Sequence, residues 1–441
     1  MINKKAVWLL PICVILAGCT SNTSSNLSSS ESNYSLSVSE TKYGLFTDED
    51  YLEVNQTHLE KKHGKGDEVT LKGTNAGGYL VTERWMCPFG FSSSDTVDHL
   101  SLTNKLVERF GADSTIDLWE KYREYYWTDS DFDYCKEMGM NVIRLPFSYM
   151  NLDPSYNNVS KPADGEFNFS ILDSFIEKAS KRGIYTILDL HGAYGSQNGQ
   201  DHSGQRIEND GDIDFYSNAD KQNKTIHLWE EITRHYKGNP AIAGFDLLNE
   251  PGEHGQKTTA VHFSFYDRMN DAIRAIDKDR VLIFEACWDG SDICSPSIFG
   301  WTNCMYSFHH YTNIFNDPAA LLNSYKSKIA GVEKRNFNVP LCMGEFNCYS
   351  SQEAWRSTLQ LFNSEGWNYT SWTYKVNDIN NYYTGWGIFN TSAEVAYADT
   401  DSIQQMLDKW KSESSEESGE ELTHLDTDKT LFDVMSDAIN G

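Results

Sequence analysis

Apolar residues gather in eight short runs rich in β-branched and aromatic types: Thr70–Gly77, Asn141–Phe147, Tyr185–Leu190, Ile242–Leu248, Val281–Ala286, Met305–His310, Pro340–Phe346 and Tyr369–Lys375. Runs of this length, set between polar stretches, predict strands. Helix-length segments separate them, and several are amphipathic. In Ile171–Lys181, for example, Ile171, Leu172, Phe175, Ile176 and Ala179 share one face. Strands that alternate with helices predict parallel pairing, because a right-handed crossover must separate each strand from the next. Eight such units predict a (β/α)8 barrel, a TIM barrel, in a single catalytic domain. The long segment Arg84–Asp131 is expected to be an excursion over the barrel mouth after the first strand. At the other end, Leu431, Phe432, Val434, Met435 and Ile439 recur at helical spacing, which predicts a docked helix over Thr427–Ile439.

The two ends change the picture of where the domain sits. Two lysines precede the apolar run Ala6–Ala17, which is too short to span a bilayer and has the length of a signal-peptide core. The run closes on Leu16-Ala17-Gly18-Cys19, which looks like a bacterial lipobox. Residues 1–18 are therefore expected to be cleaved, and Cys19 to carry lipid and anchor a secreted protein at the cell surface. Residues 20–40 are mostly Ser, Asn, Thr and Glu and cannot bury a core, so 19–65 is expected to be a flexible tether. The catalytic domain then covers 66–441. Seven carboxylates and no Lys or Arg lie between Glu413 and Asp428, and 413–426 is expected to be an exposed acidic loop.

The formal net charge is −27, and loss of Lys4 and Lys5 with the signal makes it −29. Such a chain repels nucleic acid and anionic lipid, so membrane contact is expected through the anchor alone. Neutral sugar polymers feel no such repulsion. Of nine cysteines, Cys13 leaves with the signal and Cys19 takes lipid. The remaining seven show no CxxC pair and no histidine spacing that suggests zinc. Most are expected to be buried thiols, with at most a disulfide or two. No metal or organic cofactor is called for, and a monomer is expected.

Chemistry in a barrel of this kind sits at the C-terminal ends of the strands. The second run carries Ile143-Arg144-Leu145, the third ends Leu188-Asp189-Leu190-His191-Gly192, and the fourth ends Leu248-Asn249-Glu250-Pro251. The sixth ends His309-His310-Tyr311, the seventh Gly344-Glu345-Phe346, and the eighth holds Ser371-Trp372-Thr373. A polar group after an apolar run is costly unless it faces a cavity with partners. Barrel geometry brings all of these to one cavity, and no single one of them makes the case. Paired carboxylic acids facing a sugar-sized site are the equipment of glycoside cleavage, one to protonate the leaving oxygen and one to attack the anomeric carbon.

This set of residues resembles glycoside hydrolase family 5 over about residues 70–390. The resemblance implies Glu250, preceded by Asn249, as acid/base and Glu345 as nucleophile, with Arg144, His191, His309, Tyr311 and Trp372 in support. A narrower resemblance, to the exo-β-1,3-glucanase branch, rests on Gly73-Thr74-Asn75-Ala76-Gly77-Gly78-Tyr79-Leu80-Val81-Thr82-Glu83 and on the stretch from His191 to Gly204. It implies that Glu83 and Asp201 hold a terminal sugar. Tyr194, Gln200 and His202 depart from that branch's pattern, where Pro, Phe and Asn are usual. The expected activity is retaining hydrolysis of β-glucan, exo-acting and of β-1,3 type. The alternatives are an endo-acting cellulase, mannanase or glycolipid hydrolase, a transglycosylase, or an inactive sugar-binding lipoprotein. Arg144 and Tyr311 are expected to hold Glu345 ionised, Asn249 to bind the sugar 2-hydroxyl and His309 to orient Glu250. The negative charge of Glu345 is expected to keep the proton on Glu250.

Overall fold

The structure is a computed structural model that describes residues 41–90, 97–209, 212–286, 288–377, 385–415 and 420–441. Eight strands close into the predicted barrel: β1 (Lys72–Asn75), β2 (Val142–Ser148), β3 (Tyr185–Gly192), β4 (Ile242–Asp246), β5 (Leu282–Glu285), β6 (Cys304–His310), β7 (Leu341–Phe346) and β8 (Asn368–Ser371). Each strand pairs in parallel with its neighbours in sequence, and β8 returns to β1. The strands are almost wholly buried, β2 and β3 along their full length, because helices cover their outer faces and side chains fill the interior. The helix predicted around Ile171–Lys181 is Ser170–Ser180 (α1), and it buries the residues of its apolar face against β3.

One glycine is needed for close approach. A Cβ on Gly344 would collide with Ser307 Oγ and stand 3.3 Å from His309 Nε2. Without that side chain, β7 lies close enough to β6 for Glu345 and His309 to share one space.

The segment between β1 and β2 is helical, with His99–Phe110, Ala112–Tyr126 and Asp129–Glu137. The first two pack with Ile403–Trp410 in a second hydrophobic cluster that contains Trp372 and touches Tyr311, beside the C-terminal ends of the strands. The terminal helix Leu431–Asn440 docks through Leu431, Val434 and Met435, as expected.

Two expectations are corrected. Residues 41–65 are folded and do not form a tether. A three-stranded sheet, Glu53–Asn55, His58–Glu60 and Glu68–Val69, lies at the N-terminal end of the barrel, with Phe46, Tyr51, Leu52 and Leu59 buried. Phe46 packs against Tyr185 with tilted rings 4.4 Å apart, the Arg280 guanidinium lies 4.8 Å over the Tyr51 ring, and Val54 N–H donates to Asn303 Oδ1 at 2.7 Å. These apolar residues stand singly among charges, and only the barrel floor gives them a common surface. The expected tether over 19–40 and the lipidation of Cys19 lie outside the described residues.

The acidic stretch is also not simply exposed. Glu413 is fully buried, and Glu420 begins a strand (Glu420–Leu422) on the sheet that extends beyond β8. Glu420 Oε1 and Asp131 Oδ1 lie 3.1 and 3.2 Å from Lys375 Nζ, which is itself buried. An unpaired buried lysine would be costly, and these carboxylates compensate it. All six described cysteines of the domain, Cys87, Cys135, Cys294, Cys304, Cys342 and Cys348, are free thiols.

Candidate active site

A cavity of about 240 Å³ opens at the C-terminal ends of the strands. Its walls include Glu250 and Glu345, His191 and His202, Asn249, Tyr311 and Glu83, with Trp85, Trp288, Trp372 and Trp386 as flat apolar faces.

Arg144 organises the floor. Its Nη1 donates to Glu345 Oε1 and Asn75 Oδ1, both at 3.0 Å, and its Nε to Asp246 Oδ2 at 2.9 Å. Nη2 donates to Glu285 Oε1 at 2.6 Å and Asn249 Oδ1 at 2.9 Å, and it lies 3.1 Å from Asp189 Oδ1. Four carboxylates thus meet one guanidinium out of reach of water. Burial pushes the Asp189 carboxyl up to about 8 despite Arg144, and burial together with Glu285 pushes Asp246 well above its ordinary value. Asp189, Asp246 and Glu285 could by spacing hold a cation, their oxygens being within 4.8 Å of one another, but the guanidinium already occupies that place.

The two glutamates are held differently. Glu345 leaves β7 with Oε1 on Arg144 and Oε2 accepting from Tyr311 Oη at 2.8 Å. Glu250 follows β4 in a left-handed conformation (φ 41°), which few non-glycine residues adopt and which recurs at functional sites. Its backbone is fixed on both sides, since the N–H donates to Glu285 Oε2 at 2.7 Å and the carbonyl accepts from Asn198 Nδ2 at 3.0 Å. His309 Nδ1 lies 2.8 Å from Glu250 Oε1 and 3.4 Å from Glu345 Oε2, so the imidazole stands between the two acids. One oxygen of each glutamate and a ring nitrogen of His309 all lie within 4.8 Å of one another.

The protonation differs from the sequence expectation. Burial alone would raise the Glu250 carboxyl, but the hydrogen bond from His309 outweighs it and the group is lowered. His309 is raised well above an ordinary histidine, because the carboxylates of Glu285 and Glu345 outweigh its burial. The proton between these two groups therefore rests on His309. Glu83 behaves in the opposite way: burial, then the charge of Asp201, raises it well above an ordinary carboxyl, and its Oε2 accepts from Trp85 Nε1 at 2.8 Å.

His191 Nδ1 lies 2.6 Å from Asp189 Oδ2, and burial lowers the ring to about 3, so it is a neutral imidazole. The His191 ring lies parallel to Trp372, with centroids 5.5 Å apart. Asn249 gives its Oδ1 to Arg144 and so keeps Nδ2 free to donate. Of the expected site residues, Glu83, His191, Asn249, Glu250, Tyr311, Glu345 and Trp372 line the cavity, while Arg144 and His309 do not line it but bond to the glutamates that do. Asp201 does not line it, and the next residue, His202, does.

The family model for cellulase (glycosyl hydrolase family 5) matches residues 102–378. The chain belongs to glycosyl hydrolase family 5. Among curated relatives, a β-xylosidase of Phanerodontia chrysosporium is 31% identical over 364 residues, 74% of this chain and 71% of that protein. A probable glucan 1,3-β-glucosidase A of Aspergillus fumigatus is 30% identical over 216 residues, covering about half of each chain (47% and 48%). Among solved structures, an endogalactoceramidase superposes with a TM-score of 0.54 at 17% identity, over 88% of this chain and 84% of that one. The rutinosidase from Aspergillus niger has the same TM-score at 15% identity, over 75% and 92%. These likenesses agree in fold. Membership of family 5 makes the chain a glycoside hydrolase on a TIM barrel.

Several members of this family 5 site had gone unnoticed in the sequence: Asn75, Asp189, Asp246 and Glu285 around Arg144, and Trp85, Trp288 and Trp386 on the walls. Glu285 closes the one run whose end carried no motif. Asp189 and Asp246 interrupt apolar runs, which was itself the available signal, since an acid inside a buried strand needs a partner.

Proposed function

We propose that this enzyme hydrolyses β-glucans from their ends by a retaining double displacement, with Glu345 as nucleophile and Glu250 as acid/base. The observation that carries the reading is the approach of the two carboxylates to within 4.8 Å, oxygen to oxygen, with His309 between them. Retaining enzymes hold the pair about 5–5.5 Å apart, whereas inverting ones leave about 6.5–9.5 Å for a water. Glu345 attacks the anomeric carbon while Glu250 gives its proton to the leaving oxygen. Water then enters as Glu250 takes a proton back. Asn249 Nδ2 donates to the 2-hydroxyl, a bond that strengthens as positive charge develops on the sugar. Glu83, protonated by its burial, can both donate to and accept from the hydroxyls of a terminal sugar, and Trp372 with Trp386 supplies stacking faces.

Proton NMR of the first-formed anomer tests the mechanism: the β-anomer is expected, and the α-anomer sinks it. Product profiles test the mode. Laminarin should release free glucose from the earliest time points, and Glu83→Gln should lower kcat/KM by about 10- to 100-fold through one lost buried polar pairing. An early ladder of oligosaccharides with Glu83→Gln unchanged would remove the exo assignment. The similarity to a β-xylosidase supports a second reading, a terminal pentose in the same cavity, and a higher kcat/KM on an aryl β-xyloside than on the β-glucoside would favour it.

A further inference from the structure

A second cavity, of about 230 Å³, lies among the outer helices and shares no lining residue with the cavity of the two glutamates. It is bounded by the helix Ala112–Tyr126, by the start of α1 and by Tyr79, on the segment that follows β1. Tyr79 and Trp127 give it aromatic walls, their rings 6.3 Å apart and edge to face. Its volume is close to the 240 Å³ of the other cavity, so it has room for a molecule of the same size.

Both signs of charge meet in this cavity. Arg123 is only 6% exposed, and its one hydrogen bond among the described residues runs from Nη2 to the Asn158 carbonyl at 3.2 Å. It enters no salt bridge among those residues. Burial lowers it to about 10, so it stays charged at neutral pH, with most of its five donors unpaired. Tyr79 Oη likewise has no hydrogen-bond partner among the described residues, and burial pushes it up to about 12, which keeps it a neutral donor and acceptor. Buried donors without partners are costly, and these two line an open space. The same cavity is lined by Glu120 and Glu124, both exposed, and by Lys178, whose Nζ lies 3.4 Å from Asp129 Oδ2. Ser170 and Ser174 of α1 add two hydroxyls.

That mixture selects among ligands. A simple anion brought to Arg123 would meet Glu120 and Glu124, and a simple cation brought to those acids would meet Arg123 and Lys178. A neutral polyol meets neither objection. Each of its hydroxyls both donates and accepts, so it can answer the guanidinium, the phenol and the carboxylates together, while its C–H face lies on an aromatic wall. We propose that this cavity is a second saccharide site, which holds one sugar of a neutral β-glucan chain away from the cavity of the two glutamates. The proposal rests on the reading of neutral β-glucan as the substrate. Its consequence falls on polymers alone. A chain held at two places gains from the effective concentration of its second contact, whereas a small glycoside can use only one site at a time.

The test is affinity electrophoresis through gels containing laminarin, with the other cavity blocked. Incubation with 2,4-dinitrophenyl 2-deoxy-2-fluoro-β-glucoside should trap Glu345 as a covalent adduct, read by mass. The trapped wild type should still be retarded by laminarin. Ser174→Trp, at an exposed position of α1 on the cavity lining, should fill the space and abolish that retardation. Without trapping, the same variant should raise KM for laminarin about 3- to 10-fold and leave phenyl β-glucoside kinetics unchanged. Trapped wild type that migrates as in a plain gel, or Ser174→Trp retarded as strongly as wild type, overturns the proposal. A cavity that is stabilised against heat by oligogalacturonate and not by laminaritriose is an anion site, which overturns it as well. If Ser174→Trp does not fold, the double variant Glu120→Ala/Glu124→Ala removes the exposed acceptors and should show the same loss. Failure of the adduct to form counts against Glu345 as nucleophile and leaves the second site testable, because Ser174→Trp must still be less retarded than wild type in the untrapped comparison.

Discussion

Arg144→Lys is the most informative perturbation of the floor. The guanidinium makes five hydrogen bonds and a further ion pair to Asp189, and it is almost fully buried. An ammonium keeps the charge but offers only three donors, and it cannot fork between Glu345 and Asn75 on one side and Glu285 and Asn249 on the other. At least two partners are then left without a donor, each a loss of about 1–3 kcal/mol when buried. A destabilisation of roughly 3–5 kcal/mol follows, comparable with breaking a buried ion pair. With an unfolding entropy of about 2.1 cal/mol/K per residue over roughly 400 folded residues, the melting temperature should fall by about 4–6 °C. Activity should fall further, because Glu345 Oε1 and Asn249 Oδ1 both lose their anchor. If Glu345 and Asn249 act as proposed, a drop of about 100-fold or more in kcat/KM is expected from misplacing both together. Differential scanning calorimetry and aryl glucoside kinetics on the same preparation measure both. A variant that melts within 1 °C of wild type and keeps more than about a third of its kcat/KM would refute the view that this network positions the nucleophile.

Tyr311→Phe removes one donor from Glu345 Oε2 and little packing; kcat/KM should fall about 10- to 100-fold with the melting temperature nearly unchanged, and an unaltered rate would deny the contact a role. Asp189 and Glu420 are raised to about 8 and about 7, so the folded chain holds protons that the unfolded chain releases. Their contribution is complete below about pH 4 and is lost as pH rises toward 7–8, so the melting temperature should decline from pH 5 to 8 and Glu420→Gln should flatten the decline. A steeper decline in Glu420→Gln would contradict the assignment. If Cys19 carries lipid, Cys19→Ala should move the protein from membrane to medium or block its processing, and an unchanged distribution argues against the anchor.

The barrel was legible because its strands are apolar runs of uniform length and its helices have one apolar face. The two glutamates proposed as catalytic were legible because each ends such a run beside a turn. Less legible were residues whose meaning lies in distant partners. Glu413 and Glu420 read as solvated charge because Lys375 lies far back along the chain, in a strand where its own burial is invisible. Phe46, Tyr51 and Leu59 read as coil because no local period links them; the barrel floor does. The protonation of Glu250 was misjudged because the sequence pairs it with Glu345, whereas the fold puts His309 between them.

The six described thiols, five of them buried, have a practical side. None is cross-linked, and burial raises each above the ordinary thiol range, Cys294 to about 11 and Cys304 and Cys348 to about 12. The fraction of these six present as reactive thiolate at neutral pH is therefore small. The same property turns the cysteines into clocks. A thiol reagent can reach Cys348 or Cys135 only when the surrounding core opens, so labelling rates report how often that core breathes. Cys87 accepts from the Glu83 N–H at 3.4 Å, so its labelling times the loop that carries Glu83 and Trp85 to the cavity wall. A saccharide bound in the cavity should slow that one clock and leave the others running at their own pace.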